Sequence, residues 1–456
     1  MRKKIGIFID HDITIRHFIK SNIFSELEKE NELHYFFPKN HRRVRTKLNN
    51  LRIKNLHEIL IDESRAYKIR MFYHALNLRN LKKKINQKDE EIRYKKILGN
   101  KLFFFYKYFL KFNIIFYFFK LYKKKQIKNN LNLSKILKDN NIDLIIHPTV
   151  LEGLFVYDLI NIGKSFSIPT IYLMNSWDNP STKALIDGAP DKLFVWGEQT
   201  KVHANEYLDI PNDKIVVAGA AQMQLFKNSS IDVKKNYRSL IDTQLDEKII
   251  CYAGSSRGFN ETEQLAKIDD YIANQKLKKL KILYKPHPWK DFSNKNEKNF
   301  FEYNFNNIIM DPYSKENYVM RSNKSAKINI NLIDYNYTFR ILKSIDGLFT
   351  PLSTIMLEAT MLGIPVSVYY PKNRNEFSSG FHYDLGRRMF KEFFEIINPS
   401  VVTTQQNILE GINFLLEKIE DQQYKEKLKT KSLYFNETMN LNYREILNHN
   451  VKETTR

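Results

Sequence analysis

The residues that follow the apolar run KIICYAG (248–254) are of types that bind phosphate. Gly254 permits a close approach of the backbone, and the hydroxyls of Ser255 and Ser256 can donate hydrogen bonds to phosphate oxygens. Arg257 adds a positive charge just before a helix that we predict to begin near Glu261. The first amides of a helix also bind anions. Small polar residues in such a turn can instead serve only as helix caps, so both interpretations are open.

A second loop places a cation and an imidazole after the run KILYK (281–285). Its sequence is Lys285-Pro286-His287-Pro288, and the two prolines stiffen the chain around His287. A fixed cation and imidazole at this position suit a pyrophosphate. The alternative is a rigid turn in which His287 caps a neighbouring loop.

A third loop lies within DGLFTPLSTIMLEATMLGIPVSV, which predicts a strand, a loop, a helix and a further strand. Ser353 and Thr354 stand at the start of the helix, where hydroxyls and the first amides are available to a ligand. Glu358 follows one turn later and could accept hydrogen bonds from ribose hydroxyls. Capping alone explains Ser353 and Thr354, but it does not explain a glutamate in an otherwise apolar helix.

These loops need a scaffold that brings them to one edge. Short apolar runs alternate with helical stretches through both halves of the chain, and this alternation predicts parallel sheets with crossover helices. Ligands bind beyond the carboxyl ends of strands in such sheets, where all three loops fall. The predicted strands are KIGIFI, LHYFF, DLIIH, PTIYLM, KLFVW and KIVVAG, then KIICYAG, KILYK, NIIM, DGLFT and PVSVYY.

Length and composition indicate a folded protein with two domains. The chain has 456 residues, 43% hydrophobic and 27% charged, which excludes a disordered or fibrous protein. We predict an N-terminal domain over 1–220, a linker within 219–246, a C-terminal domain over 245–430 and a helical tail over 431–456. The single cysteine, Cys251, excludes an intrachain disulfide, and the first apolar run, 5–9, is shorter than a secretory signal needs. A cytoplasmic location is therefore expected.

The net charge of +22 is concentrated in one segment. Residues 41–130 contain 25 Lys and Arg against 6 Asp and Glu, a balance of +19, so the rest of the chain carries +3. We interpret this segment as a basic, mostly helical insertion in the N-terminal domain that docks on an anionic surface. Nucleic acid is disfavoured as the partner because no known binding module accompanies the segment.

Within the insertion, LFFFYKYFLKFNIIFYFFKLY (102–122) is about long enough to cross a bilayer. A crossing would place strands of one sheet on opposite sides of the membrane, so we exclude it. Two interpretations stay open. The segment lies in the interface of an anionic membrane, which would make the protein peripheral at the inner face of the plasma membrane, or it is a buried helix of the N-terminal domain.

The motif KPHP, followed by D-G-x-x-x-P-x-S-T-x-x-x-E-A-x-x-x-G-I-P, resembles the C-terminal donor domain of the GT-B superfamily. The segments NSWDNPSTK (175–183), PDKLFVWGEQTK (190–201) and KIVVAGAAQMQLF (214–226) also resemble bacterial surface-polysaccharide glycosyltransferases and CDP-glycerol glycerophosphotransferase-like proteins. The resemblance covers roughly 140–370. It implies an α/β fold of two Rossmann-like domains that face a cleft.

The resemblance further implies that the C-terminal domain holds the nucleotide, with Ser353, Thr354 and His287 near phosphate and Glu358 near ribose. It also implies metal-independent chemistry without a cofactor, in which a nucleotide-sugar is the co-substrate. The chain has Thr-Pro-Leu-Ser-Thr (350–354) where glycerophosphotransferases usually show an Asp-Tyr-Ser-Ser type of sequence. This departure makes polyol-phosphate transfer the less favoured reaction.

In this architecture the base that deprotonates the acceptor usually comes from the N-terminal domain. The candidates are Asp10, His11 and Asp12 after the first strand, His147 after DLIIH, and Asp178 in the SWDN segment. We favour Asp12 and Asp178 as the base, with His11 orienting the acceptor. The spacing of Asp10 and Asp12 matches a metal-binding DxD motif of another glycosyltransferase fold, and we interpret this match as chance.

The sequence therefore predicts a glycosyltransferase that moves a sugar from a nucleotide-activated donor to a lipid-linked or polymeric cell-surface glycan, such as a capsule or lipopolysaccharide. Three alternatives are a CDP-glycerol-type polyol-phosphate transferase, a UDP-sugar 2-epimerase and an inactive glycan-binding scaffold. The basic insertion argues against the epimerase, which needs no membrane surface. Retention of His287 and Glu358 argues against the scaffold.

Overall fold

The computed structural model describes the whole chain except residues 1, 80–86, 128, 184–185, 228–230, 257–258, 291, 293–296, 324–333, 371–387 and 456. The chain forms two compact units. Unit 1 comprises Met1–Gln224, Gly386–Lys391 and Tyr434–Arg456, and unit 2 comprises Leu225–Leu385 and Glu392–Leu433. The chain thus passes into unit 2 within the linker range predicted from the sequence, and the predicted C-terminal tail belongs largely to unit 1.

Unit 1 is built on a seven-stranded sheet in which every neighbouring pair of strands is parallel. The order is β3-β2-β1-β4-β5-β6-β7, so the strand order reverses between β1 and β4. The strands are β1 (Lys4–Phe8), β2 (Glu32–Pro38), β3 (Leu56–Ile59), β4 (Leu144–Thr149), β5 (Thr170–Met174), β6 (Lys192–Val195) and β7 (Ile215–Val217).

Unit 2 repeats this arrangement with six parallel strands in the order β10-β9-β8-β11-β12-β13. The reversal here falls between β8 and β11. The strands are β8 (Lys248–Ala253), β9 (Leu280–Lys285), β10 (Ile308–Met310), β11 (Gly347–Thr350), β12 (Val366–Tyr369) and β13 (Ser400–Val402).

Helices connect the strands of both sheets. In chain order the α-helices of the described residues are α1 (Asp12–Thr14), α2 (Ser25–Glu30), α3 (Glu63–Arg79), α4 (Gln87–Phe104), α5 (Asn113–Ile127), α6 (Leu131–Asp139), α7 (Val156–Phe166), α8 (Glu198–Leu208), α9 (Ile231–Leu240), α10 (Glu261–Asn274), α11 (Pro312–Ser322), α12 (Tyr335–Ser344), α13 (Ile355–Met361), α14 (Arg388–Ile397), α15 (Ile408–Lys418), α16 (Gln422–Ser432) and α17 (Tyr443–Thr454).

The central strands are buried along nearly their whole length. All six residues of β4 and all five of β5 are buried, as are four of the five residues of β1. Strands covered on both faces read as continuous apolar runs, and this explains why the sequence identified them. The prediction of two Rossmann-like α/β domains is confirmed, with all eleven predicted strands present.

Two strands were missed. β3 and β13 stand at the edges of their sheets and are short and partly exposed, with sequences LHEI and SVV. Edge strands bury only part of their surface, so their apolar signal is weak. Because β3 lies inside the segment 41–130, that segment is not wholly an addition to the sheet.

Among the described residues, none of the helices combines the length and apolarity that a membrane crossing requires.

The last residues of the chain pack closely into unit 1. A Cβ atom added at Gly197 would lie 2.6 Å from the backbone carbon of Phe435, and one added at Gly219 would lie 2.7 Å from Cα of Thr438. The backbone N–H of Ala220 donates to Oγ1 of Thr438 at 2.7 Å. The ring of Phe435 also contacts Trp177 edge to face. The segment from 434 onward is therefore an integral part of the unit.

Candidate functional site

A pocket opens in unit 2 at the point where the strand order reverses. Because parallel strands end at the same edge of a sheet, the loops after β8, β9 and β11 meet there, as does the end of β12. Most of the predicted phosphate-binding residues come together in this pocket. Its lining residues are Gly254, Ser255, Ser256, Phe259, His287, Pro351, Leu352, Ser353, Tyr369 and Tyr370.

The turn after β8 is fixed by a buried carboxylate. Glu261, the first residue of α10, accepts hydrogen bonds from the backbone N–H of Ser255 at 2.5 Å and from the hydroxyl of Tyr284 at 2.6 Å. A Cβ atom on residue 254 would lie 2.7 Å from Oε2 of Glu261. Glycine is therefore required at 254 by the close approach of this carboxylate.

The charge of Glu261 is balanced by a buried lysine. Nζ of Lys290 lies 2.9 Å from Oε2 of Glu261 and 2.9 Å from Oε1 of Glu297, and all three side chains are nearly inaccessible to solvent. Oε2 of Glu297 has no hydrogen-bond partner among the described residues. Burial raises the pKa of Glu297 to about 7, while Lys290 opposes this rise. The positive charge of one lysine thus balances the charges of two buried carboxylates next to the pocket.

The raised pKa of Glu297 predicts a pH dependence of stability. Folded Glu297 binds its proton more tightly than the unfolded residue, whose pKa is near 4.5. The folded state therefore holds more protons between these two values, and its stability must fall as pH rises from about 5 to about 7. We expect Glu297→Gln to flatten this slope, measured as thermal unfolding at a series of pH values. An unchanged slope in the variant would contradict the prediction.

His287 presents one nitrogen as a donor. Its Nδ1 accepts a hydrogen bond from the backbone N–H of Trp289 at 3.0 Å, so the proton of the neutral ring lies on Nε2. Oγ of Ser353 accepts weakly from the backbone N–H of Ile355 at 3.3 Å. Both residues therefore combine a local structural contact with a position on the pocket wall. Capping and ligand binding are compatible here.

Three residues that were predicted to bind the nucleotide-sugar donor do not line the pocket. Lys285 is the last residue of β9, and its carbonyl accepts from the backbone N–H of Gly254 at 2.9 Å. Thr354 precedes α13, and Glu358 is buried within that helix. Arg257 lies outside the described residues.

The aromatic part of the pocket was not predicted from the sequence. Tyr369 and Tyr370 stand at the end of β12, and Phe259 precedes α10. The rings of Phe259 and Tyr369 contact edge to face with centroids 5.3 Å apart. The signal was present, since the strand PVSVYY ends in two tyrosines at the ligand-binding edge of the sheet. These residues give the polar pocket an apolar wall.

In unit 1, the two acids after β1 are both committed to backbone contacts. Oδ2 of Asp10 accepts from the N–H of Leu154 at 2.7 Å, across the strand reversal between β1 and β4. The carboxylate of Asp12 accepts from the N–H groups of Arg45 and Thr46, and from the hydroxyl of Thr46 at 2.7 Å. These bonds favour a structural role for Asp12 over the predicted role of base.

The other predicted residues of unit 1 lie at the same edge of the sheet. Nδ1 of His11 caps α1 by accepting from the N–H of Ile13 at 3.1 Å. Asp178 follows β5, and its Oδ2 lies 3.3 Å from the hydroxyl of Thr182. His147 is fully buried within β4 and donates from Nδ1 to the carbonyl of Phe8 at 2.7 Å. Burial lowers the pKa of His147 and keeps its ring neutral. The ring lies beneath the surface and is part of the core.

A histidine and an asparagine that the sequence analysis did not single out also meet at this edge. Nδ1 of His17 lies 2.8 Å from Oδ1 of Asn175, the residue immediately after β5. Burial lowers the pKa of His17 to about 3, so the ring is neutral and donates to the amide oxygen. His17 therefore fixes Asn175 three residues before Asp178. The pairing joins residues 158 positions apart, which no local sequence pattern reveals.

The described residues contain no group of three or more histidine, cysteine, aspartate or glutamate side chains arranged to hold a metal ion. In particular, the carboxylates of Asp10 and Asp12 bind backbone amides of different loops, Leu154 for Asp10 and Arg45 and Thr46 for Asp12. The DxD spacing therefore has a structural explanation.

Comparison with known proteins matches the chain to solved structures at the level of the fold. No protein-family model matches, and no curated protein matches. UDP-GlcNAc 2-epimerase from Neisseria meningitidis, bound to UDP-GlcNAc, has a TM-score of 0.52 and 15% identity over 99% of this chain and all of that chain. The S. aureus MnaA–UDP structure has a TM-score of 0.50 and 13% identity over 99% of this chain and 96% of that chain.

A variant of the wall teichoic acid polymerase TagF, soaked with CDPG, has a TM-score of 0.50 and 11% identity over 99% of this chain and 88% of that chain. These proteins catalyse different reactions on one architecture, so the likeness concerns the fold and not the reaction. The two parallel sheets of the chain, each with one reversal of strand order, agree with it. The chain has the GT-B fold that its sequence motifs predicted.

Proposed function

We propose that the chain is a glycosyltransferase that binds a nucleotide-activated sugar in the pocket of unit 2 and transfers the sugar to a cell-surface glycan. The observation that carries this proposal is the pocket itself. It joins three serine hydroxyls, an imidazole donor and an aromatic wall at the strand reversal of a parallel sheet, the usual ligand position in such sheets. Hydrogen-bond donors and hydroxyls suit the phosphates of a nucleoside diphosphate, and aromatic surfaces suit its base.

In this proposal the diphosphate lies against Ser255, Ser256 and His287. Nε2–H of His287 donates to a phosphate oxygen, because Nδ1 is already occupied by the N–H of Trp289. The nucleoside packs on the aromatic wall of Phe259, Tyr369 and Tyr370. Bound in this way, the diphosphate is held as a leaving group whose developing charge is stabilised by hydrogen bonds.

The acceptor hydroxyl requires a base, and we assign this role to Asp178. Asp178 follows β5 at the edge of the sheet where the other predicted residues of unit 1 lie, whereas Asp12 is held by four hydrogen bonds from Arg45 and Thr46. Replacement of Asp178 by asparagine should therefore leave nucleotide binding intact and abolish transfer. If Asp178→Asn transfers sugar at the wild-type rate, another residue is the base.

A thermal-shift screen against UDP, CDP, GDP, CMP and their sugar conjugates tests the donor site. A ligand at 100 times its Kd stabilises the folded protein by about 2.7 kcal/mol, which is readily measured. We expect one nucleotide to raise Tm and His287→Ala to reduce the rise strongly. His287→Gln is the matched control, since the glutamine amide can donate from near the position of Nε2. If no nucleotide raises Tm, the donor-site proposal fails and an inactive scaffold becomes the better interpretation.

The reaction is distinguished from its alternatives by the fate of the donor sugar. A glycosyltransferase passes labelled sugar to an acceptor glycan and releases the nucleoside diphosphate. A polyol-phosphate transferase passes a polyol together with its phosphate to the acceptor and releases the nucleoside monophosphate. Conversion of the donor to its C2 epimer in the absence of acceptor would contradict transfer and establish the epimerase.

A further inference from the structure

A hairpin in unit 1 concentrates the exposed apolar surface of the protein. The aromatic hairpin, residues 101–127, comprises the end of α4, the π-helix Phe105–Phe109, a short turn and α5. Of the 25 large apolar side chains that are exposed among the described residues, twelve lie between positions 102 and 122. Ile114, Phe112 and Phe118 are exposed by 74%, 63% and 64%. Soluble proteins rarely expose apolar groups in one cluster, and such clusters mark interaction surfaces.

The opposite face of the hairpin is anchored to the body of unit 1. Phe103, Tyr106 and Leu110 are buried in a cluster with Ala75 and Leu78 of α3. The ring of Tyr106 contacts Phe119 of α5 edge to face at 5.5 Å, which joins the two arms. The exposed side chains therefore belong to an ordered element with one covered face and one open face.

Lysines lie beside exposed aromatic rings of the hairpin, with Nζ of Lys111 5.2 Å from the ring centroid of Tyr108 and Nζ of Lys123 5.9 Å from that of Tyr122. Residues 101–127 contain seven lysines and no aspartate or glutamate. Lys120 and Lys124 lie 2.6 Å and 3.1 Å from the carboxylate of Asp187, and this pairing fixes α5 to unit 1. Lys101, Lys111 and Lys125 are exposed. The exposed surface of the hairpin thus carries apolar side chains and lysines together.

We propose that the aromatic hairpin inserts into the surface of an anionic lipid bilayer, with its phenylalanines among the acyl chains and its lysines on the headgroups. Apolar burial combined with electrostatic attraction is the mode by which interfacial helices bind membranes. A second copy of the chain is a poor occupant because a two-fold contact would bring the two sets of lysines together. Nucleic acid would leave the aliphatic side chains such as Ile114 in water.

Vesicle flotation of the full-length protein tests the proposal. Vesicles of phosphatidylcholine alone are compared with vesicles that also contain phosphatidylglycerol. We expect the protein to float with the anionic vesicles and the double variant Phe112→Ser, Phe118→Ser to partition at least about tenfold less. The matched control is Phe301→Ser with Leu245→Ser, which removes apolar side chains exposed by 49% and 56% from unit 2. This control should float as the wild type does.

The charge is tested separately by Lys111→Glu with Lys125→Glu, which should weaken partitioning about tenfold or more on anionic vesicles. The control Lys278→Glu with Lys427→Glu makes the same change of net charge at exposed positions of unit 2 and should have little effect. If both lysine pairs weaken flotation equally and the phenylalanine variant floats normally, the attraction is general to a basic protein and the hairpin does not insert.

Two further results would overturn the proposal. One is wild-type protein that remains unbound with anionic vesicles. The other is a wild-type dimer that Phe112→Ser with Phe118→Ser converts to monomer, which would identify a second copy as the occupant. The nucleotide-induced rise in Tm is measured on every variant. Because the hairpin lies in unit 1 and the donor pocket in unit 2, a failure of membrane binding with an intact nucleotide response leaves the proposed function standing.

Discussion

Replacement of Lys290 by methionine is expected to destabilise unit 2 by about 3–5 kcal/mol, because it leaves two buried carboxylates without their cation. Lys290 lies 2.9 Å from both Glu261 and Glu297, and all three side chains are excluded from solvent. Methionine keeps an unbranched apolar stem and lacks only the terminal ammonium group, so the loss is chiefly one of charge. Chemical denaturation monitored by circular dichroism measures the change.

Two variants isolate the cause of this loss. Lys279→Met removes a lysine that pairs with Asp246 at 2.7 Å on the surface, and it should leave stability unchanged because solvent screens exposed pairs. Adding Glu297→Gln to Lys290→Met removes one of the orphaned carboxylates and should restore part of the stability. A double variant no more stable than Lys290→Met alone would show that electrostatics is not the cause.

The second large effect is expected at Gly254. An added Cβ would lie 2.7 Å from Oε2 of Glu261, and this carboxylate cannot retreat because Tyr284 and Lys290 hold it. We expect Gly254→Ala to displace the turn that carries Ser255 and to weaken nucleotide binding by at least about tenfold, or about 1.4 kcal/mol. Isothermal titration with the nucleotide identified by the thermal-shift screen measures the affinity.

Gly347→Ala is the matched control for this substitution. Gly347 is in the same sheet, and its nearest contact would be Cγ1 of Ile250 at 3.4 Å, an ordinary van der Waals distance. The control should bind nucleotide as the wild type does. An unchanged affinity for Gly254→Ala would mean that the turn after β8 is not part of the nucleotide site.

The scaffold could be predicted well from the sequence because buried parallel strands have a clear sequence pattern. Every central strand is a continuous apolar run bounded by turn residues, and the loops at the carboxyl ends follow directly from that pattern. The pattern therefore predicts that Ser255, His287 and Ser353 lie near one another, and all three line one pocket. The edge strands β3 and β13 were missed because solvent covers part of each.

What the sequence did not reveal depends on long-range contacts. Glu261 was noted only as the start of a helix, although it organises the turn after β8 through residues up to 29 positions away. Asp12 was favoured as a base because it follows a strand, and only the fold shows its bonds to Arg45 and Thr46. Hydrogen-bond partners of this kind leave no local period in the sequence.

The contribution of the last helix to unit 1 has a consequence for the order in which the protein folds during synthesis. Tyr443, Leu447 and Val451 of α17 belong to the hydrophobic core that β1 and β4 form, and Nζ of Lys3 lies 2.6 Å from the carbonyl of Thr455. All residues of unit 2 lie between 225 and 433. The whole of unit 2 has therefore been synthesised before α17 is translated, and it can fold before unit 1 is complete. The unit whose strands are translated first is thus the last to complete its core, because that core lacks α17 until unit 2 has been synthesised.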